Sequence, residues 1–196
     1  MRKILVLILI FIGLALIFYP SLRDHYYESQ QQKITSHWLA ELEHPDQSPS
    51  STDVPPKSPP SSLDLSEGME GLLIIEKINL KVPIFTGLSD RNLNLGIASI
   101  AGKPGEVGNY VLAGHNSHTY GLLFNRLHEL SAGDKIKIQD RKTTYVYRVT
   151  DRFITSPDNI QALKPRGQKK EITLVTCDYS RQKPYLRLIV KGEFEV

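Results

Sequence analysis

The sequence predicts a mainly β domain held at a membrane by one N-terminal helix, and three features of its 196 residues carry that prediction. From residue 69 onward, seven short apolar runs are separated by Gly and Asp, and several alternate apolar and polar residues with period two. Only one stretch in that region has helical spacing. Ahead of it stand an uncharged apolar run and a Pro/Ser-rich segment. Seven or eight strands with one or two short helices suggest a small mixed or antiparallel β-barrel.

The first element is the apolar run. Met1-Arg2-Lys3 is basic, and Ile4 to Tyr19 contains no charge. Those residues span roughly 24 Å as a helix, short of a hydrocarbon core of roughly 30 Å. Extending the helix through Leu22, with Arg2 and Lys3 snorkelling to the headgroups, closes the gap. Residues 4–22 are thus expected to anchor the chain in a membrane. Positive charge lies before the run, while Asp24 and Glu28 offset Arg23 after it, so the N-terminus is expected in the cytoplasm and the remainder outside. A cleaved signal peptide is the competing reading, but Phe18-Tyr19-Pro20-Ser21 offers no small-x-small cleavage context.

Residues 23–68 are read as a polar extracellular linker. Tyr27, Ile34, Trp38 and Leu42 recur there at helical spacing, which suggests a helix continuing from the membrane or packing on the domain. Whether this segment covers a site or only spaces the domain is left open. Six of the twelve prolines fall between Pro45 and Pro60, a composition that suits a semi-extended spacer. The domain is expected over 69–196, long enough to bury a core.

The strands are read at 72–76, 80–85, 110–113, 135–138, 144–149, 172–177 and 186–190, with a helix over Leu122 to Leu130 placing Leu123, Leu127 and Leu130 on one face. A formal charge of +3 and the lack of a basic run argue against nucleic acid. One cysteine excludes an internal disulfide framework.

That cysteine, Cys177, ends the apolar run Glu171-Ile172-Thr173-Leu174-Val175-Thr176-Cys177. An unpaired thiol at a strand end is a candidate nucleophile, although inert core is the commoner reading of each such residue taken alone. A free thiol has a pKa of about 8.5, so a nucleophilic role needs a proton-handling or positive neighbour. His25, His37 and His44 lie in the linker, and His128 falls on the polar side of the expected helix. His115, directly after an apolar strand and Gly114, is favoured over His118. Arg187, on the terminal strand, is favoured over Arg181, which lies among polar residues of loop composition. The spacing of His115 and His118 would suit a metal, yet no Cys or carboxylate nearby completes a site.

In combination these segments resemble the sortases, the cysteine transpeptidases of Gram-positive cell surfaces. Thr173-Leu174-Val175-Thr176-Cys177 fits the family's Thr-Leu-x-Thr-Cys signature. Leu112-Ala113-Gly114-His115 is similar to the segment bearing the family's histidine, and Leu123-Phe124-Asn125-Arg126-Leu127 to the short helix after it. Gly133-Asp134-Lys135-Ile136 resembles the next strand's start, Arg187-Leu188-Ile189-Val190 the strand with the essential arginine, and Asn79-Leu80-Lys81-Val82-Pro83-Ile84 an early strand.

The resemblance implies an eight-stranded sortase-type barrel and two-step acyl transfer. Cys177 would be the nucleophile, His115 the general acid and base, and Arg187 the stabiliser of substrate and oxyanion, with a hydroxyl or main-chain donor at Thr176 contributing. It further implies a secreted protein with a Leu-Pro-x-Thr-Gly-like signal as donor and a lipid-linked peptidoglycan precursor as acceptor. No cofactor is expected; nothing in the spacing of Glu106, Asp158 and Glu171 singles out calcium. Pilin-polymerising members carry an Asp-Pro-aromatic lid and a second membrane helix, and iron-acquisition members a long inserted helix. Neither set is read here, so the type expected is class A or class D. A tethered binding module with an inert cysteine, and a cysteine hydrolase, are the alternatives.

Overall fold

The computed structural model describes residues 2–43, 66–117, 119–179 and 185–195. Helix α1 runs over Arg2–Glu43 and is followed, after the proline-rich stretch outside the described residues, by eight strands. These are β1 (Met69–Ile75), β2 (Leu80–Thr86), β3 (Ile97–Ala101), β4 (Gly108–Ala113), β5 (Lys135–Gln139), β6 (Thr144–Thr155), β7 (Lys170–Asp178) and β8 (Leu186–Phe194). They close into a barrel in the order β1-β2-β3-β4-β7-β8-β6-β5. Pairs β2–β3 and β4–β7 are parallel, and the others are antiparallel.

Period-two alternation is what fills the barrel. Leu73, Ile75, Val82, Ile84, Ile97, Tyr110, Leu112, Ile136, Ile138, Tyr147, Ile172, Leu174, Leu188 and Val190 form one continuous core. Burying a side chain of this kind stabilises the fold by about 1.5–3 kcal/mol. Each of the seven expected strands is present, β6 running on to Thr155.

Two elements lie between β2 and β4 that the sequence reading lacked: β3, and the short helix α2 over Asp90–Leu95. Ser89 caps α2 by accepting from the Asn92 amide at 3.1 Å. The Asn92 side chain in turn donates to the carbonyls of Thr86 and Gly87 at 2.9 and 2.8 Å.

The helix expected over Leu122 to Leu130 is corrected: only Leu127–Glu129 is helical, as a 3-10 turn. Leu122, Leu123, Phe124, Leu127 and Leu130 are all buried, a spread no single helical face can bury. Leu123 has φ +54°, and it bridges to Asn116 rather than continuing a helical turn.

Helix α1 divides in character at Leu22. From Val6 to Leu22 its large apolar side chains are exposed, and an 18-residue window there reaches a mean hydropathy of 2.2, long and apolar enough to cross a membrane. Beyond Leu22 the helix lies along the barrel. Gln31, Ile34 and Trp38 are buried, and Ile34 joins Phe85 and Leu95 in a second apolar cluster flanked by Tyr27 and Met69. Gln31 Nε2 donates to the Asn94 carbonyl at 3.1 Å. At the far end, Arg141 stacks over the Trp38 ring at 4.3 Å and pairs with Glu41 at 2.9 Å. Residues 23–43 are therefore helix docked on the barrel, and not linker in form.

Candidate active site

Strand parity sets the site. On β7, Ile172 and Leu174 point into the barrel, so Thr173, Val175 and Cys177 take the outer face. On β8, Leu188 and Val190 point inward, which turns Arg187 outward. Cys177 and Arg187 are direct partners in the antiparallel β7–β8 ladder. Residues so paired share a face, with Cβ atoms about 4.5–5.5 Å apart.

The histidine arrives from the other side of β7. Strand β4 pairs with β7 in parallel, with Val111 beside Thr173 and Ala113 beside Val175. The Gly114 amide donates to the Val175 carbonyl at 3.1 Å, carrying the ladder past the strand end. His115 follows on the loop just past β4, at the end of the barrel where β7 reaches Cys177. A side chain at position 114 would run into Ile97 and Phe124, so glycine lets the chain pass over the barrel's end. Asn116 Nδ2 then donates to the Cys177 carbonyl at 2.7 Å, and the Phe124 amide to the His115 carbonyl at 3.0 Å. Cys177 and Arg187 thus form a row across β7 and β8, and the loop after β4 holds His115 at the same end of the barrel.

Thr176 departs from expectation. Its inward parity buries it, and its hydroxyl donates to the Gly114 carbonyl at 2.8 Å. The hydroxyl ties β4 to β7 inside the barrel and does not reach the groove, which leaves only the Thr176 main chain for any role there. His118 and Arg181, the alternatives to His115 and Arg187, lie outside the described residues. His128 is exposed, its Nδ1 3.0 Å from the Asn125 carbonyl.

Beside the row, a cavity of about 270 Å³ is bounded by His115, Asn116 and Tyr179 on the barrel and by Arg23, Asp24 and Tyr27 on α1. Asp24 accepts from the Thr119 hydroxyl at 2.7 Å. The imidazole of His115 lies at the surface, but the protein crowding it lowers its pKa below the ordinary 6.5. The Arg23 guanidinium acts in the same sense and Asp90 opposes. Burial raises the Tyr179 phenol above its usual range, neighbouring Cys177 and Tyr185 add to this, and Arg187 counters. Arg187 Nη1 donates to the carbonyls of Tyr185 and Leu186 at 2.9 and 3.3 Å.

None of Asn116, Tyr179, Asp90 or Arg23 was singled out from sequence. Asn116 alone carried a signal, its place next to His115. Among the described residues, no group of three or more His, Cys, Asp or Glu side chains is arranged to hold a metal ion. Glu171 accepts from the Arg166 amide and Nε at 2.7 and 2.6 Å.

A family model described as Sortase domain matches residues 73–195, from β1 to the end of β8. Sortase A of Bacillus anthracis is 37% identical over 120 residues, which are 60% of this chain and 55% of that protein, so the chain spans about half of that relative's length. The solved Sortase D5 transpeptidase of Clostridium perfringens has the same fold, with a TM-score of 0.64 at 24% identity over 86% of this chain and 99% of that one. Sortase E1 of Streptomyces coelicolor, solved with a tripeptide in its active site, is 28% identical with a TM-score of 0.59 and covers 67% of this chain and 90% of its own. The matched segment includes every strand that brings His115, Cys177 and Arg187 to one end of the barrel, and on it the chain belongs to the sortase family.

Proposed function

We propose that this chain is a membrane-anchored cysteine transpeptidase acting on a Leu-Pro-x-Thr-Gly-like sorting signal. The observation that carries the reading is the direct pairing of Cys177 with Arg187 on β7 and β8, with His115 on the loop just after β4, whose Asn116 side chain donates to the Cys177 carbonyl. In the first step the Cys177 thiol passes its proton to the neutral His115 imidazole as the sulfur attacks the Thr carbonyl of the Thr–Gly bond, and a thioester forms as the C–N bond breaks. His115 gives a proton to the departing glycine amine, and in the second step takes one from the incoming amine as it attacks the thioester. Arg187 holds the substrate and balances the oxyanion of each tetrahedral intermediate, with a main-chain donor at Thr176 contributing. A lowered His115 pKa supports a neutral imidazole at neutral pH, compatible with a reverse-protonated pair whose apparent pKa values belong to both groups. No cofactor enters either step.

The acceptor in this reading is the amine of a lipid-linked peptidoglycan precursor. The N-terminus of α1 lies in the cytoplasm and the barrel outside, as the charges flanking residues 4–22 favour. The full chain in nanodiscs, given a Leu-Pro-x-Thr-Gly peptide with an oligoglycine amine, should yield a ligated peptide, and Cys177→Ala should yield none. Arg187→Ala should cost about 2 kcal/mol or more in the barrier, the scale of a lost oxyanion donor. Cleavage that ignores the amine would favour a hydrolase, and no reaction with either arm a binding module.

A further inference from the structure

The barrel meets α1 at one end of its length before the other. Contact begins at Asp24, which accepts from Thr119, and runs to Glu41, which pairs with Arg141. The end carrying His115 is therefore the one nearest Leu22, where the exposed apolar stretch stops. At 1.5 Å per helical residue, Arg23 to Tyr27 lie within about 8 Å of Leu22 along the helix axis, the depth of one interfacial layer outside the hydrocarbon core. The turn at Arg141, beside Trp38, is roughly 22 Å further along the same axis than Arg23.

Tyrosine is distributed in the same sense. Of the nine tyrosines, Tyr110 and Tyr147 are buried in the barrel and Tyr145 packs against its core. Those that expose most surface sit at the His115 end or on α1 next to it: Tyr19 at 63%, Tyr26 at 60%, Tyr120 at 75% and Tyr179 at 43%. Tyr120 follows Thr119, the partner of Asp24, and Tyr179 bounds the cavity with Arg23. Tyr185 stacks edge-on against Tyr179 at 4.9 Å. Rings with a polar tip, gathered at the height where a helix leaves hydrocarbon, are the composition of an interfacial aromatic belt.

We propose that the His115 end of the barrel is a lipid-facing surface, seated in the phospholipid headgroup layer through Tyr26, Tyr120 and Tyr179. The mouth of the active site then opens at headgroup depth and not into bulk solvent. The proposal rests on α1 crossing a bilayer, but not on the transfer chemistry. It commits to the bilayer that α1 enters as the occupant, because helix and barrel form one docked unit that meets that bilayer with this end first.

The test uses the full chain in nanodiscs with a nickel chelate carried on lipid headgroups. Since Cys177 is the sole cysteine, a Cys177→Ser background allows single spin labels at Tyr120→Cys, Lys142→Cys and Phe11→Cys. The label at 120 should be relaxed by the headgroup nickel several-fold more than the label at 142, while the label at 11 should respond to oxygen and not to aqueous relaxant. Equal relaxation at 120 and 142 overturns the proposal. An aqueous response at 11 removes the membrane crossing and the proposal with it. Neither result depends on turnover, so a failed peptide ligation with the expected relaxation pattern would overturn the enzymatic reading alone.

Discussion

Cys177 and Arg187 face each other because directly paired residues of an antiparallel ladder share a side of the sheet, and His115 joins their end of the barrel on the loop after β4, whose Asn116 side chain holds the Cys177 carbonyl. The inward positions are legible in sequence, since Ile172 and Leu174 on one strand and Leu188 and Val190 on the other assign them, but which strands pair is not. Thr176 follows the same rule to the opposite result. Its parity sends the hydroxyl inward, which the expectation of a substrate contact had not weighed. The electrostatics of His115 was not legible, because Arg23 and Asp90 lie far from it in sequence and approach only in the fold. The imidazole should titrate below the ordinary value of about 6.5, and Arg23→Gln should raise its midpoint, as followed by histidine ring NMR. The sign for stability follows from linkage. The unfolded chain takes up this proton more readily, so stability is full above about 6.5 and is lost as pH falls towards the folded-state value. A midpoint unmoved by the Arg23 change would remove that guanidinium as a cause.

Elements with strict period-two patterning were legible, and those without it were not. Strand β3, Ile97-Ala98-Ser99-Ile100-Ala101, is built mostly of small residues, and α2 has too few turns to show a helical face. Leu122 to Leu130 misled for the converse reason: leucines at helical spacing are buried there by an irregular segment that wraps the barrel's end. The stripe of Tyr27, Ile34, Trp38 and Leu42 is visible in the sequence, but nothing there marks the polar Gln31 within it as buried, because its partner is the main chain of Asn94. Docking of α1 rests on that stripe. Ile34→Ala should weaken it by about 2 kcal/mol, the low end for a buried isoleucine, and amide exchange should speed up over residues 27–42. Barrel amides should keep their protection. Uniform acceleration throughout would mean that α1 and the barrel unfold as one unit.

Closure of the barrel is a property of the whole molecule, and it depends on a seam between its first and fifth strands. At Gly71, beside that seam, an added Cβ would collide with the main chain of Gln139 and Asp140, atoms that cannot swing aside as a side chain would. Gly71→Ala should therefore destabilise the protein by about 1–3 kcal/mol in urea unfolding, the scale of an overpacked site. A neutral result would mean that the seam opens without cost. The length of α1 has a consequence of a different kind. Past Pro20, α1 carries on without interruption into the segment docked on the barrel, so it transmits rotation as well as height: each residue added or removed between Leu22 and Asp24 would swing the groove by roughly 100° about the helix axis. The compass bearing of the groove relative to the apolar end of α1 is thus written in the residue count of this one helix.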